Sequence, residues 1–223
     1  MISNWMSKNI SNFHKEILDE KRQVVFSLLK EHFPDFILGG GTAIALQLNN
    51  RKSYDFDFFL SDPVPRKLLR KINEVFLGYD IRPSVDSPDE LSLILNEDIK
   101  ISFVYFPFPA LHDCVSGGGM KFFDLRDLAS NKAYAIGRRG VWRDYVDMFF
   151  LIKSGLTLEA IIFETKKRFG GNFDEKLFLE QLVYFNDLGP FDVECIGEKC
   201  EQKGIEDFFI QCVRQFLEKD SVG

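Results

Sequence analysis

The chain has 223 residues, a formal net charge of -6 and a sequence pI of about 5.2. This acidic balance argues against broad nonspecific binding to nucleic acid duplexes, which depends on many phosphate contacts. Hydrophobic residues make up 45% of the sequence, enough for a sizeable core, but no apolar run reaches the length of a membrane span. The start of the chain also lacks a signal-like pattern, so we expect a cytoplasmic protein without a membrane partner.

The patterns of hydrophobicity and of Gly and Pro predict an α+β fold, with a small mixed β-sheet and flanking helices followed by a C-terminal helical bundle. Before residue 124, we predict helices over 13–33, 42–48 and 67–76, and strands over 36–38, 53–60, 79–85, 90–95 and 99–106. After it, helices are predicted over 125–137, 141–153, 158–169, 175–186 and 205–218. We therefore expect two domains, residues 1–124 and 125–223, with the helical region completing a cleft.

We expect the phenylalanines and cysteines of this chain to have structural roles. The 24 phenylalanines often occur in pairs, and we expect most of them to fill the core rather than to form an RNA-stacking platform. Cys114, Cys195, Cys200 and Cys212 include no C-x-x-C pair. A zinc or redox motif is therefore not supported, and free thiols in a reducing cytosol are expected.

The segment 36–59 contains the strongest functional signal. Asp55 and Asp57 alternate with phenylalanines on a predicted strand, so both carboxylates point to the same face. Like charges this close resist joint ionisation, and a divalent cation such as Mg²⁺ is the simplest stabilising partner. The preceding glycines, 39–41, allow backbone N–H groups to approach a phosphate at a helix N-terminus. A solvated strand edge is the alternative, but the flanking phenylalanines disfavour it.

Gly-Gly-Gly-Thr-Ala followed by Arg51-x-Ser53-x-Asp55-x-Asp57-Phe-Phe resembles the AbiEii/AbiGii type of toxin nucleotidyltransferase. A second block, Lys132 followed by Arg139 and Arg143-Asp144-x-x-Asp147, is similar to the lysine and arginine-aspartate motifs of that family. Together the two blocks span residues 36–152. From spacing alone, the charges of the second block are equally consistent with a helix-surface ion pair.

The resemblance implies a toxin-like enzyme that transfers a nucleotidyl group from an NTP to a hydroxyl of RNA, tRNA included, or of protein. It would act in a toxin–antitoxin or phage-defence system, with a cognate antitoxin as partner. The implied metal ligands for Mg²⁺ or Mn²⁺ are Asp55 and Asp57, and the other implied catalytic residues are Lys132, Asp144 and Asp147. The implied nucleotide-binding residues are Gly40, Gly41, Thr42, Arg51, Ser53, Arg139 and Arg143.

One position departs from the superfamily pattern. A third carboxylate usually occupies a neighbouring strand, and Ser102 stands there instead. A serine hydroxyl adds no charge to a metal site, so Ser102→Ala is expected to cost little. Three alternatives follow: one metal suffices, another acid such as Asp144 or Asp147 completes the site, or the chain is catalytically weak. Ser102 also supports a rival function, a nucleotide-binding pseudoenzyme or regulatory partner-binding module. A phosphotransferase using the same site is a further alternative.

Overall fold

The computed structural model describes residues 13–197 and 200–220. Within them the chain forms two compact units. The first contains residues 13–47 and 53–124, and the second contains residues 48–52 together with the chain from residue 125 onward. Compactness alone does not define a folding unit, so the two domains divided at residue 124 stay a prediction.

The first unit is built on a mixed seven-stranded sheet. Its strands are β1 (Ile37–Leu38), β2 (Phe56–Leu60), β3 (Ile81–Asp86), β4 (Glu90–Leu95), β5 (Ile99–Tyr105), β6 (Val115–Gly117) and β7 (Met120–Phe122), in the spatial order β3-β4-β5-β2-β1-β7-β6. The β2–β5 and β1–β7 pairs are parallel, and the other pairs are antiparallel. Its helices are α1 (Glu20–His32), α2 (Gly40–Leu48) and α3 (Leu68–Val75).

Strand β2 explains how the two faces of this sheet differ. Phe56 and Phe58 are fully buried, whereas Asp57 and Phe59 are partly exposed, as the period of two along a strand requires. The buried face packs aromatic rings against one another: Phe58 stacks on Phe103 of β5 at 5.0 Å, and Phe56 stacks on Phe26 of α1 at 6.3 Å. The opposite face therefore presents the β2 carboxylate.

The second unit is helical. It contains α4 (Leu125–Ile136), α5 (Trp142–Lys153), α6 (Leu158–Phe169), α7 (Glu175–Leu182) and α8 (Gln202–Asp220). Side-chain caps fix two helix starts: Thr157 accepts a hydrogen bond from the Ala160 N–H, and Asp174 accepts one from the Leu177 N–H. The α+β class with a C-terminal helical bundle is thus confirmed.

Two local features differ from the sequence-based expectations. Residues 115–122, for which no strand is predicted, form the β6–β7 hairpin with Gly118 and Gly119 at positive φ. The prediction of free thiols is wrong for Cys195 and Cys200, which form a disulfide across Cα atoms 6.1 Å apart. Gly197, two residues after Cys195, has φ +74°. No helix of the described residues is long and apolar enough to cross a membrane.

Candidate active site

The glycine turn and Asp57 are in direct contact. The Gly39 N–H donates a 2.8 Å hydrogen bond to the Asp57 carbonyl, which fixes the turn beside β2. Gly40 follows at φ +63°, and a Cβ atom added there would lie 2.5 Å from Asp57 Oδ2. Only glycine meets both conditions, because a side chain would be strained at this φ and would displace the carboxylate. We call this arrangement the cradle: the backbone of the glycine turn forms one side and the Asp57 carboxylate forms the other.

Two buried hydroxyls brace this cradle. The Thr42 hydroxyl, in the first turn of α2, donates to the Asp55 carbonyl. Since a hydroxyl has one proton, the Ser53 Oγ, 2.7 Å from Thr42 Oγ1, is the donor in their mutual bond. Thr42 and Ser53 are each less than 5% exposed. The predicted nucleotide-binding residues Thr42 and Ser53 therefore tie the start of α2 to Asp55, the residue just before β2.

The donor chemistry of this cradle fits a hard divalent cation. The Asp57 carboxylate lies beside the start of α2. Strand β2 begins at Phe56 rather than at residue 53 as predicted, so Asp55 directly precedes the strand. No cluster of three or more His, Cys, Asp or Glu side chains that would hold a metal by protein ligands alone occurs in the described residues. Two carboxylates suit a cation that completes its shell with water and substrate phosphates, as Mg²⁺ commonly does.

A buried ionic cluster organises the second unit. Asp147 of α5 is fully buried and accepts a bidentate pair from Arg51, through Nε and Nη2, both at 2.8 Å. The Asn50 side-chain amide donates to the same carboxylate at 3.0 Å. Arg51 also donates to the Lys52 carbonyl. The planar guanidinium therefore anchors residues 50–52 to α5 through charge-assisted bonds.

Lys132 of α4 lies between two aspartates of α5. Its Nζ is 2.6 Å from Asp144 Oδ1 and 2.7 Å from Asp147 Oδ2. The spacing of three between the aspartates puts both on one helix face, as the sequence predicts. The Lys132 side chain keeps 10% of its surface exposed, against 4% or less for either carboxylate. The two carboxylates therefore fix the position of the Lys132 ammonium and favour its charged form.

The pKa values follow from this packing. Burial alone would raise the pKa of Asp147, but the charges of Arg51 and Lys132 and their hydrogen bonds outweigh it and lower that pKa to about 2. Burial opposes the charged form of Lys132 as well, yet Asp144 and Asp147 raise its pKa above the ordinary value. Both groups therefore remain ionised throughout the neutral range.

Comparison with known proteins identifies the family. A family model described as nucleotidyl transferase AbiEii toxin, type IV TA system, matches residues 24–89, which include the glycine turn and both strand aspartates. The chain is 32% identical over 187 residues to an uncharacterized protein of Aquifex aeolicus, covering 82% of this chain and 89% of the relative. The chain belongs to the AbiEii nucleotidyltransferase toxin family.

Two solved structures share the fold of this AbiEii family member. JHP933 from Helicobacter pylori is 18% identical with a TM-score of 0.57, covering 92% of this chain and 96% of that one. MenT4, the nucleotidyltransferase toxin Rv2826c of Mycobacterium tuberculosis, is 13% identical with a TM-score of 0.60, covering 83% of this chain and 78% of that one. At these identities the likeness concerns the fold alone.

The AbiEii-type motif residues divide between the two units. Gly40, Gly41, Thr42, Ser53, Asp55 and Asp57 belong to the first unit, and Arg51, Lys132, Arg139, Arg143, Asp144 and Asp147 belong to the second. Arg139 is 69% exposed and its Nε lies 3.6 Å from Asp144 Oδ2, longer than a hydrogen bond. Arg143 is exposed on the first turn of α5. Arg51 differs from both, since its guanidinium is buried on Asp147.

Sequence reasoning missed the contribution of Asn50. The predicted helix 42–48 ends just before Asn49 and Asn50, and the φ of +53° at Asn49 fits such an end. Asn50 is instead fully buried against Asp147, a contact 97 residues away in the chain. Its only signal in the sequence is its position beside Arg51, and the pairing with α5 is not visible without the structure.

Proposed function

We propose that this protein is a nucleotidyltransferase toxin that moves a nucleotidyl group from an NTP to a hydroxyl of RNA, with tRNA included, or of protein. The observation that carries the proposal is the contact between Gly40 and Asp57. It joins a backbone turn suited to phosphate oxygens to a carboxylate suited to a cation. A triphosphate with its bound metal requires these two elements side by side.

In this proposal Asp55 and Asp57 hold Mg²⁺ or Mn²⁺. When bound, the cation supplies charge neutralisation on the phosphates and fixes the in-line geometry of transfer. The backbone of Gly40, Gly41 and Thr42 binds phosphate oxygens at the start of α2. Thr42 and Ser53 keep that turn in register with the strand through their buried hydroxyl bonds.

Lys132 is the proposed electrostatic catalyst. Its positive charge stabilises negative charge that develops on the transferred or leaving phosphates. Asp144 and Asp147 hold its ammonium in place. Arg51 contributes indirectly, because it pairs with Asp147 and orients that carboxylate. The exposed guanidinium groups of Arg139 and Arg143 are the proposed contacts to the nucleotide.

The proposed setting is a toxin–antitoxin or phage-defence system in the cytoplasm, with a cognate antitoxin as partner. Its support is the family membership, since the matching family model describes a toxin of a type IV TA system. MenT4, which shares the fold, is a nucleotidyltransferase toxin, in agreement with this role.

Labelled nucleotides test the proposed reaction directly. Each of the four NTPs, labelled at either the α- or the γ-phosphate, is incubated with the protein, Mg²⁺ and an extract separated into RNA and protein. Nucleotidyl transfer predicts that the α-label enters one of these fractions and the γ-label does not. Asp57→Asn, which keeps the side-chain shape, is expected to lower the incorporation at least a hundredfold.

Each other outcome has a defined meaning. Transfer of the γ-label would replace the proposal with a phosphotransferase. Binding of NTP without transfer of either label would favour the nucleotide-binding pseudoenzyme. Full incorporation by Asp57→Asn would contradict the assignment of the strand carboxylates. Asp89→Asn, a change at an exposed acid on the turn before β4, controls for the loss of one negative charge.

A further inference from the structure

A row of polar side chains crosses three adjacent strands of the first unit. Asp57 of β2 is in register with Ser102 of β5, and Ser102 is in register with Ser92 of β4. Neighbouring strands lie about 4.8 Å apart, so residues in register on one face have adjacent side chains. Ser92 and Ser102 are 1% and 3% exposed. Two serines buried next to a proposed metal ligand need hydrogen-bond partners, and the structure identifies them.

A carboxylate ends this row. The Ser92 hydroxyl lies 2.6 Å from Glu90 Oε1 and 3.0 Å from Ser102 Oγ. An ionised carboxylate only accepts, so Ser92 gives its single proton to Glu90. The geometry of the serine pair has Ser92 as the donor. Because its single proton is already given to Glu90, the 3.0 Å bond between the serines forms when Ser102 donates. With its own proton directed to Ser92, the Ser102 oxygen keeps only acceptor capacity toward its other neighbours, and Asp57 lies on that side.

We propose that Glu90, acting through Ser92, orients the Ser102 hydroxyl so that its oxygen lone pairs face a divalent cation at Asp57. Ser102 is then a neutral oxygen ligand, direct or through a water, and Glu90 is a positioning residue. Without the Glu90 carboxylate, the direction of the hydrogen bond between Ser92 and Ser102 is able to reverse. Ser102 would then donate its proton to Asp57 and compete with the cation for that carboxylate.

This inference rests on the proposed metal site and changes the interpretation of Ser102. The sequence alone predicts that Ser102→Ala costs little, because a hydroxyl carries no charge. The row predicts a measurable loss of metal affinity, because the oriented oxygen is a ligand. It also supplies a carboxylate to the site from β4, one strand beyond the position where the superfamily pattern expects a third acid.

The test measures Mn²⁺ affinity by electron paramagnetic resonance, with a nonhydrolysable NTP analogue present, and melting temperature reports folding. Glu90→Met and Ser92→Ala, which each break the row, are expected to lower the affinity about tenfold, as loss of a ligand's hydrogen-bond partner typically does. Ser102→Ala should lose at least as much. Glu90→Gln retains an acceptor for Ser92 and should fall between wild type and Glu90→Met. Asp89→Met, on the adjacent exposed acid, should stay within twofold of wild type.

The outcomes separate the two proposals. If wild type binds Mn²⁺, Asp57→Asn abolishes binding, and Glu90→Met and Ser92→Ala bind like wild type, the row is refuted and the metal site stands. Equal losses in Glu90→Gln and Glu90→Met would also refute it, because charge alone would then explain the effect. If wild type fails to bind, or Asp57→Asn binds normally, the metal site fails and the inference fails with it.

Discussion

Gly40 shows how a single backbone conformation determines the chemistry available at Asp57. The residue combines a positive φ with a position at which an added Cβ would lie 2.5 Å from Asp57 Oδ2. A side chain there would change the position of the carboxylate, the access of phosphate to the turn, or both. The three glycines are visible in the sequence, but only the structure distinguishes the one that lies against the Asp57 carboxylate.

Gly40→Ala is therefore expected to lower metal-dependent NTP affinity at least tenfold. Gly78→Ala is the matched control, because Gly78 has φ +93° but nothing within 4 Å of an added Cβ. Both changes carry the strain of a left-handed residue, about 1–2 kcal/mol of unfolding free energy, and only Gly40→Ala displaces Asp57. Calorimetry of NTP binding beside thermal unfolding checks this. Equal NTP affinity in the two variants would contradict the cradle.

Asp147 gives a prediction about acid stability. Its folded pKa of about 2 lies below the ordinary aspartate pKa of 3.8, so its ion pairs favour the folded state fully above about pH 4. This contribution, about 2 kcal/mol of unfolding free energy, is lost as the pH falls from about 4 toward 2. A carboxyl ¹³C NMR titration should give the Asp147 midpoint near 2. A midpoint at or above 3.8 would contradict the described pairing with Arg51 and Lys132.

At the scale of elements, residues 48–52 link two distant parts of the sequence. Arg51 and Asn50 bind Asp147 of α5, and the backbone of residues 50–52 pairs with residues 194–196 through the Lys52 N–H and the Asn50 carbonyl. The Cys195–Cys200 disulfide closes the loop on that side. Within the second unit, residues 50–52 are thus held by α5 and by residues 194–196.

Arg51→Ala is expected to destabilise the protein by about 3–5 kcal/mol, because it leaves the Asp147 carboxylate buried beside a single remaining cation. Arg139→Ala removes the same side chain from an exposed position and should cost no more than about 1 kcal/mol. Chemical denaturation of both variants checks the difference. Similar costs would mean that the Arg51–Asp147 pair contributes no more than a surface ion pair.

Local patterns predicted most elements well and failed where the cause was not local. The strand Glu90–Leu95 and the helix Leu158–Phe169 match the predicted ranges, because alternation and a Thr cap mark them in the sequence. The β6–β7 hairpin was missed, since three-residue strands give too short an alternating pattern. The contact of Gly40 with Asp57 and the ion pairs of Lys132 likewise depend on segments that only folding brings together.

At the scale of the whole molecule, the motif residues of the AbiEii family are shared between two compact units. The first carries the strand carboxylates and the second carries the Lys132 cluster. If both serve one reaction, as we propose, the rate losses of the two single variants should not multiply in the double variant. Asp57→Asn and Lys132→Met are each expected to lower transfer by about a hundredfold or more, and the double variant by little beyond the more damaging one.

A double variant whose transfer rate falls by the product of the two single-variant losses would contradict a shared step. Arg139→Ala combined with Asp57→Asn serves as a further comparison, since Arg139 is proposed to contact the nucleotide rather than to stabilise the transferred charge. Rates are measured with the α-labelled NTP at saturating concentration, so that weaker binding does not appear as slower chemistry.

The claim that Asp57 and the glycine turn form one site for a metal-bound triphosphate is tested most directly by titration calorimetry with a nonhydrolysable NTP. The titration is made with Mg²⁺, with EDTA, and with Asp57→Asn in Mg²⁺. We predict binding by wild type in Mg²⁺, at least tenfold weaker binding in EDTA, and an equal loss in Asp57→Asn. Unchanged affinity in EDTA or in Asp57→Asn would contradict the claim.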